Sequence, residues 1–372
     1  MSPRWQRIEQ LFHAALERQA SQRAEFIREQ AGDEDLAAEV LELVDAAPDE
    51  ALNPDRMLTP PLDLRGLLDA LAGAYLSGQM LGHYRIAELL GEGGMGLVYR
   101  AIDQDDGSVV AIKVLPPDQA RDPDRLERFH RESRAMATLQ HSAIVRVREA
   151  GSSQGIHYLA MEYLEGETLQ KRIQRTGRLS EEETVEYGLA ISAALEAAHQ
   201  AGVTHRDLKP DNVMLTRDGP KVFDFGLAHL DERDSPQRTT LDHALAGTVA
   251  YLAPEQIEGA PGTPQSDIFA LGVLLYEAVS GGTLFQRANP ITTARAILNE
   301  RPDYRSVPAA LRPLLRRCLE KRSGRRYQSA GQVHADLERI KSGLPLVQDR
   351  AAIRTLVGVG AALLILAAVS WL

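Results

Sequence analysis

Two hydrophobic periods divide the chain. From His83 the apolar residues come in short runs, HYRIAELL, LVYRAID and SVVAIKVL, set apart by Gly and Asp, which predicts successive β-strands. After Leu179 the spacing becomes that of helices. Strands first and helices afterwards predict an α+β domain over residues 83–342, with a small sheet lobe and a larger helical lobe. No internal repeat is visible in the sequence.

The flanks follow other rules. Trp5, Ile8, Leu11, Phe12 and Leu16 make one apolar stripe at helical spacing, and Leu36, Val40, Leu43 and Val44 make another. Residues 1–47 are therefore expected to form a small helical extension, broken at Gly32 and Asp33. So small a unit buries little core and should dock, on the larger domain or on a partner, with nothing in the sequence favouring either. Residues 48–82 begin rich in Pro, Asp and Asn and read as a linker with one short helix between Leu62 and Leu76.

At the other end, TLVGVGAALLILAAVSWL, residues 355–372, carries no charge and includes Trp371, a residue favoured at membrane interfaces. A helix of that length rises about 27 Å, near the lower limit for crossing the hydrocarbon layer. A transmembrane helix after a juxtamembrane linker, 343–354, is the expectation, with a buried C-terminal helix as the alternative. Arg339, Lys341, Arg350 and Arg354 would then hold everything before the span in the cytoplasm. The first residues, MSPRWQRIEQLF, scatter charge where a secretory signal would be apolar.

Composition narrows the chemistry. A formal charge of −10 over 372 residues leaves no general basic surface, so nucleic acid is not an expected partner and any phosphate site must be local. The single cysteine, Cys318, excludes an intrachain disulfide framework and a cysteine zinc cluster, and reads as a small core residue.

Candidate chemistry begins at Gly91-Glu92-Gly93-Gly94-Met95-Gly96-Leu97-Val98. A G-x-G-x-x-G string serves both dinucleotide folds and hairpins that cover phosphates. The dinucleotide fingerprint needs a helix after the glycines, whereas a β-like run, Leu97 to Ile102, follows here, so a hairpin is expected. Lys113 lies inside the apolar run VVAIKVL, where an unpaired ammonium would be costly. Taken alone, it reads equally as a surface lysine at a strand end.

The most specific signal is His205-Arg206-Asp207-Leu208-Lys209-Pro210-Asp211-Asn212, followed by Asp224-Phe225-Gly226. This pair of motifs resembles the eukaryotic-type protein kinases, over about Tyr84 to Ile340. The resemblance implies the two-lobed kinase fold and a phosphotransferase using ATP and Mg2+, with Mn2+ as an alternative metal. Asp207 would orient the substrate hydroxyl and accept its proton, and Lys209 would neutralise charge on the transferred group. Lys113 would pair with ATP phosphates and Glu132, while Asn212 and Asp224 would hold the metal. On the nucleotide side it implies Leu90, Gly91, Glu92, Gly93, Gly94, Met95, Gly96, Leu97, Val98 and Ala111. Met161 would stand at the back of the adenine pocket, and the backbone from Glu162 to Leu164 would be the hinge. Such a set suits phosphoryl transfer, whose loose transition state asks the protein mainly to position and to neutralise charge.

Lys209 in D-L-K-P-D-N, and Gly247-Thr248-Val249-Ala250-Tyr251-Leu252-Ala253-Pro254-Glu255, resemble the Ser/Thr class, with Thr248 expected beside Asp207. Glu255 should pair with Arg326, and Asp267 should brace the backbone of the His205-Arg206 turn. Between Gly226 and Glu255 lie Ser235, Thr239 and Thr240, and phosphate on either threonine is expected to order this loop by pairing with Arg206, a charge that Asp242 already supplies in part. The expectation is a kinase similar to bacterial receptor-type kinases, acting on protein Ser/Thr hydroxyls and anchored by one membrane helix. Similar kinases commonly form homodimers through the small lobe. The rivals are a pseudokinase scaffold, against which intact Lys113, Asp207 and Asp224 count, and a small-molecule phosphotransferase, which would usually lack the 247–255 segment.

Overall fold

The chain divides into two units, Met1–Ser77 and Gly78–Leu372. The computed structural model describes residues 76–93, 96–115, 120, 122–225 and 248–346, and before them 11, 14, 15, 18, 20–31, 33, 36, 37, 40, 41 and 44. In the first unit, helix α1 (Ala20–Ala31) brings Ile27 into a cluster with Leu11, Ala15, Leu36, Ala37, Val40 and Val44. Leu11 from one expected stripe and Leu36, Val40 and Val44 from the other thus share one small core. The remaining stripe residues, Trp5, Ile8, Phe12, Leu16 and Leu43, and the run from 62 to 75, lie outside the described residues.

The second unit opens with an antiparallel sheet ordered β1-β2-β3-β4-β6-β5. Its strands are β1 (Met80–Leu81), β2 (Tyr84–Gly93), β3 (Gly96–Asp103), β4 (Val109–Val114), β5 (Val147–Ser153) and β6 (Ile156–Glu162). The runs singled out by period become β2, β3 and β4, and the sheet starts before residue 83 because Met80 and Leu81 pair with Arg85 and Tyr84. The β5–β6 hairpin has no counterpart in the expectations above. Its local signal is Gln154-Gly155, both at positive φ (53° and 79°), a two-residue turn whose twist suits antiparallel strands. Between β4 and β5, helix α2 (Pro123–Thr138) buries Phe129 and Met136 and packs on β5.

Beyond β6 the chain becomes helical, as the lengthened period predicts. A short sheet, β7 (Glu167–Thr168), β8 (Val213–Thr216) and β9 (Gly219–Val222), lies among α3 (Leu169–Thr176), α4 (Glu181–Gln200), α5 (Pro254–Ile257), α6 (Pro264–Ser280), α7 (Pro290–Asn299), α8 (Arg312–Cys318) and α9 (Ala330–Lys341). Helix α4 starts at a reciprocal cap: Ser180 Oγ accepts the Glu183 N–H at 3.1 Å and Glu183 accepts the Ser180 N–H at 3.1 Å. Helix α6 is buried from Ser266 to Val279, as its all-round apolar sequence requires. One apolar core runs from Ala111 and Phe129 through α4 and α6 to Leu337, and reaches Leu346 beyond the expected domain end at 342. Among the described residues no helix is long and apolar enough to cross a membrane; the expected span, 355–372, lies outside them.

Candidate active site

The glycine motif is a hairpin. Gly91 faces Val98, Glu92 faces Leu97 and Gly93 faces Gly96 across β2 and β3, with Gly96 at φ 116°, a conformation that favours glycine. Its tip, Gly94 and Met95, lies outside the described residues. Register then decides which side chains share a face. Val98 stands opposite Lys113, Lys113 opposite Leu159, and Ala111 opposite Met161, so side chains two apart along β4 bring Val98, Ala111, Lys113 and Met161 to one surface. Ala111 and Met161 are buried, Leu97 and Val98 are half-buried and Leu90 is exposed.

Lys113 is only 4 % exposed and needs an anion. Its Nζ lies 2.9 Å from Asp224 Oδ1, a contact spanning 111 residues of sequence. Glu132, on α2, accepts instead from Arg206 Nη1 at 3.3 Å. The pairing of Lys113 with Glu132 that the resemblance implies is therefore not the one observed. Both residues reach the cleft, but each holds a different partner.

The loop from His205 to Asn212 is shaped from beneath. Asp267, on α6 and 1 % exposed, accepts the N–H groups of His205 and Arg206, each at 2.8 Å, and lies 2.8 Å from His199 Nε2. That double grip holds Arg206 at φ 67°, a left-handed conformation costing on the order of 1–3 kcal/mol in a residue with a side chain. Asp224 is also left-handed, at φ 62°. Phe225 is buried against the His205 ring at 4.5 Å between centroids. His205 Nδ1 accepts the Asp207 N–H at 3.3 Å and Nε2 lies 3.1 Å from the Phe223 carbonyl, the pattern of a neutral imidazole. Burial, which holds its pKa below the ordinary histidine value, agrees.

On this frame the polar groups converge. Asp207 Oδ2 accepts from Lys209 Nζ at 2.8 Å and from Asn212 Nδ2 at 3.1 Å, and Asn212 Nδ2 also donates to the Asp207 carbonyl at 2.7 Å. The Asn212 carbonyl accepts the Phe223 N–H at 3.1 Å, which places Asp224 next along the same ladder. Contacts thus run from Lys113 to Asp224 and, by way of the adjoining Phe223 backbone, from Asn212 to Asp207 and Lys209. Because Asn212 commits its amide N–H2 to Asp207, its amide oxygen is left as an acceptor; that oxygen and the Asp224 carboxylate are hard donors of the kind that could hold Mg2+.

The supports expected around the site are present. Glu255 accepts two 2.7 Å hydrogen bonds from Arg326, whose remaining donors go to carbonyls of Glu320, Gln265 and Lys321, and Ser266 Oγ donates to Glu255 at 2.8 Å. The Thr248 side chain and the segment 226–247, with Ser235, Thr239, Thr240 and Asp242, lie outside the described residues. Besides Lys113 with Asp224, three further partnerships are not expected from the sequence: Arg206 with Glu132, His199 with Asp267, and Lys221 with Glu162, the expected hinge residue, at 2.7 Å. Each joins residues far apart in sequence, and no local pattern announces it.

The protein kinase domain family matches residues 84–336. A probable serine/threonine-protein kinase of Streptomyces coelicolor is 39% identical over 275 residues, covering 71% of this chain and 41% of that protein. The serine/threonine-protein kinase PknA of Mycobacterium tuberculosis is 37% identical over 270 residues, covering 70% of this chain and 62% of PknA. The crystal structure of the M. tuberculosis PknI kinase domain is 27% identical with a TM-score of 0.58, covering 72% of this chain and 99% of that domain. The chain thus matches less than two thirds of the length of these curated relatives. On the strength of the family match and of these relatives, the chain belongs to the protein kinase family, among the eukaryotic-type serine/threonine kinases.

Proposed function

We propose that this chain transfers the terminal phosphoryl group of ATP to serine or threonine hydroxyls of proteins. The observation that carries the reading is the convergence of the Lys113–Asp224 ion pair with the Asn212–Asp207 hydrogen bond, the two joined through the Phe223 backbone, in the domain that carries the glycine hairpin. In it, Asp207 accepts the proton of the incoming hydroxyl at its carboxylate, while Asn212 keeps that carboxylate oriented. Lys209, 2.8 Å from Asp207, offsets the charge that grows on the transferred group. Asn212 and Asp224 would hold Mg2+, which supplies neutralisation of the phosphate oxygens.

This reading requires Glu132 to exchange Arg206 for Lys113, since a kinase positions its lysine through that glutamate. A phosphate on Thr239 or Thr240 would favour the exchange, bringing nearly two negative charges to Arg206 in competition with Glu132. Membrane attachment through residues 355–372 belongs to the same proposal and is supported by their uncharged sequence. Incubating the purified chain with γ-labelled ATP, a generic protein acceptor and Mg2+ should place label on serine or threonine, and Asp207→Asn should reduce it at least about a hundredfold. Wild-type protein that binds ATP and labels nothing would favour the scaffold.

A further inference from the structure

Glu162 is expected to serve the nucleotide through its backbone, yet its carboxylate is where three segments meet. Its Oε1 accepts Lys221 Nζ at 2.7 Å and the Arg146 N–H at 2.8 Å, while its own N–H donates to the Arg146 carbonyl at 2.9 Å. Glu162 ends β6 at the hinge. Arg146 lies in the loop that leads from α2, the helix of Glu132, into β5. Lys221 lies on β9, three residues before Asp224. The same strand is laced to that loop one residue on, for the Val222 N–H donates to the Ala143 carbonyl at 2.8 Å and the Val222 carbonyl accepts the Val145 N–H at 2.9 Å. With side chains 17 % and 30 % exposed, Lys221 and Glu162 are neither a fully solvated pair nor a buried one. A single exposed ion pair would contribute little. Here, however, one oxygen takes a cation and a main-chain donor from two different segments, which fixes geometry more than it adds stability.

We propose that Glu162 is a positioning residue: its carboxylate, gripped by Lys221 and the Arg146 N–H, locks the hinge to the strand that delivers Asp224. The adenine edge and the phosphate end of the cleft are thereby held at a set separation before ATP arrives, so binding does not have to order them. The inference rests on the ATP-dependent kinase reading.

The test is nucleotide kinetics on the full chain. Lys221→Met and Glu162→Gln should each raise KM for ATP about three- to tenfold, as loss of a partly screened charged hydrogen bond predicts, with a smaller change in kcat and none in KM for the protein acceptor. The double variant should be no worse than the poorer single one, because the two residues act as a unit. Lys221→Arg should stay near wild type. Should Lys221→Met prove unstable, the Kd for ATP of Glu162→Gln and Lys221→Arg, read by calorimetry, provides the same comparison. An active wild type whose KM for ATP moves less than twofold in both single variants, or a double variant whose effect is the product of the singles, overturns the positioning role alone. A wild type that transfers no label overturns the kinase reading beneath it.

Discussion

Arg326 shows what a buried charge demands of its surroundings. Its side chain is fully buried, and its guanidinium is met by both oxygens of Glu255 and by three backbone carbonyls, so its donors are spent within the protein. Removing the carboxylate would strand the cation, at a cost of about 3–5 kcal/mol, far above that of a surface pair. Glu255→Ala is therefore expected to lower unfolding free energy by that order in denaturant melts at neutral pH. The pH dependence has a definite sign. Burial alone would raise the Glu255 pKa, but the hydrogen bonds and charge of Arg326, with the Ser266 hydroxyl, outweigh it and hold the carboxyl below its ordinary value. Its contribution is thus present above the ordinary glutamate range and lost as pH falls through the depressed folded-state value. The gap in stability between wild type and Glu255→Ala should narrow on acidification; a gap constant down to strongly acid pH would contradict the assignment.

Between helices α6 and α8, close fit centres on Gly272 of α6. A Cβ there would lie 2.6 Å from Cys318 Cβ on α8 and 3.2 Å from the Leu319 side chain, so the two helices touch where glycine allows it. Alanine would gain about 1 kcal/mol of helix propensity but force overpacking worth about 1–3 kcal/mol. Gly272→Ala should therefore lower the thermal midpoint despite its better propensity, and a raised midpoint would mean that α8 yields. Sheet register works by the same logic of close fit. Lys113 reaches Asp224 only because β4 pairs with β3 and β6 in a register that puts Val98, Ala111 and Met161 on its own face, and a slip of one residue would turn it to the other side.

At the scale of the molecule, the ion pairs of Lys113 with Asp224 and of Arg206 with Glu132 describe one arrangement of the cleft, and phosphoryl transfer asks for another. The flanking segments carry a separate expectation: in cell fractionation the full chain should partition with membranes and a chain ending at residue 354 should not, whereas equal partitioning would remove residues 355–372 as the anchor. Much of this protein was legible in its sequence. Period placed β2, β3 and β4, and motif residues named the groups that meet in the cleft, along with the Arg326 pair and the Asp267 brace. The strands follow from local spacing, which sets backbone geometry, while the cleft residues, the Arg326 pair and the Asp267 brace follow from the resemblance of the motifs to the protein kinases. Tertiary structure alone decided which charges take one another. Lys113 meets Asp224 across 111 residues, Glu132 meets Arg206 across 74, and Glu162 meets Lys221 across 59. When several anions and cations share one cleft, the choice among partners turns on separations of an ångström or two between packed elements, and such separations are set by the whole core, not by any stretch of chain.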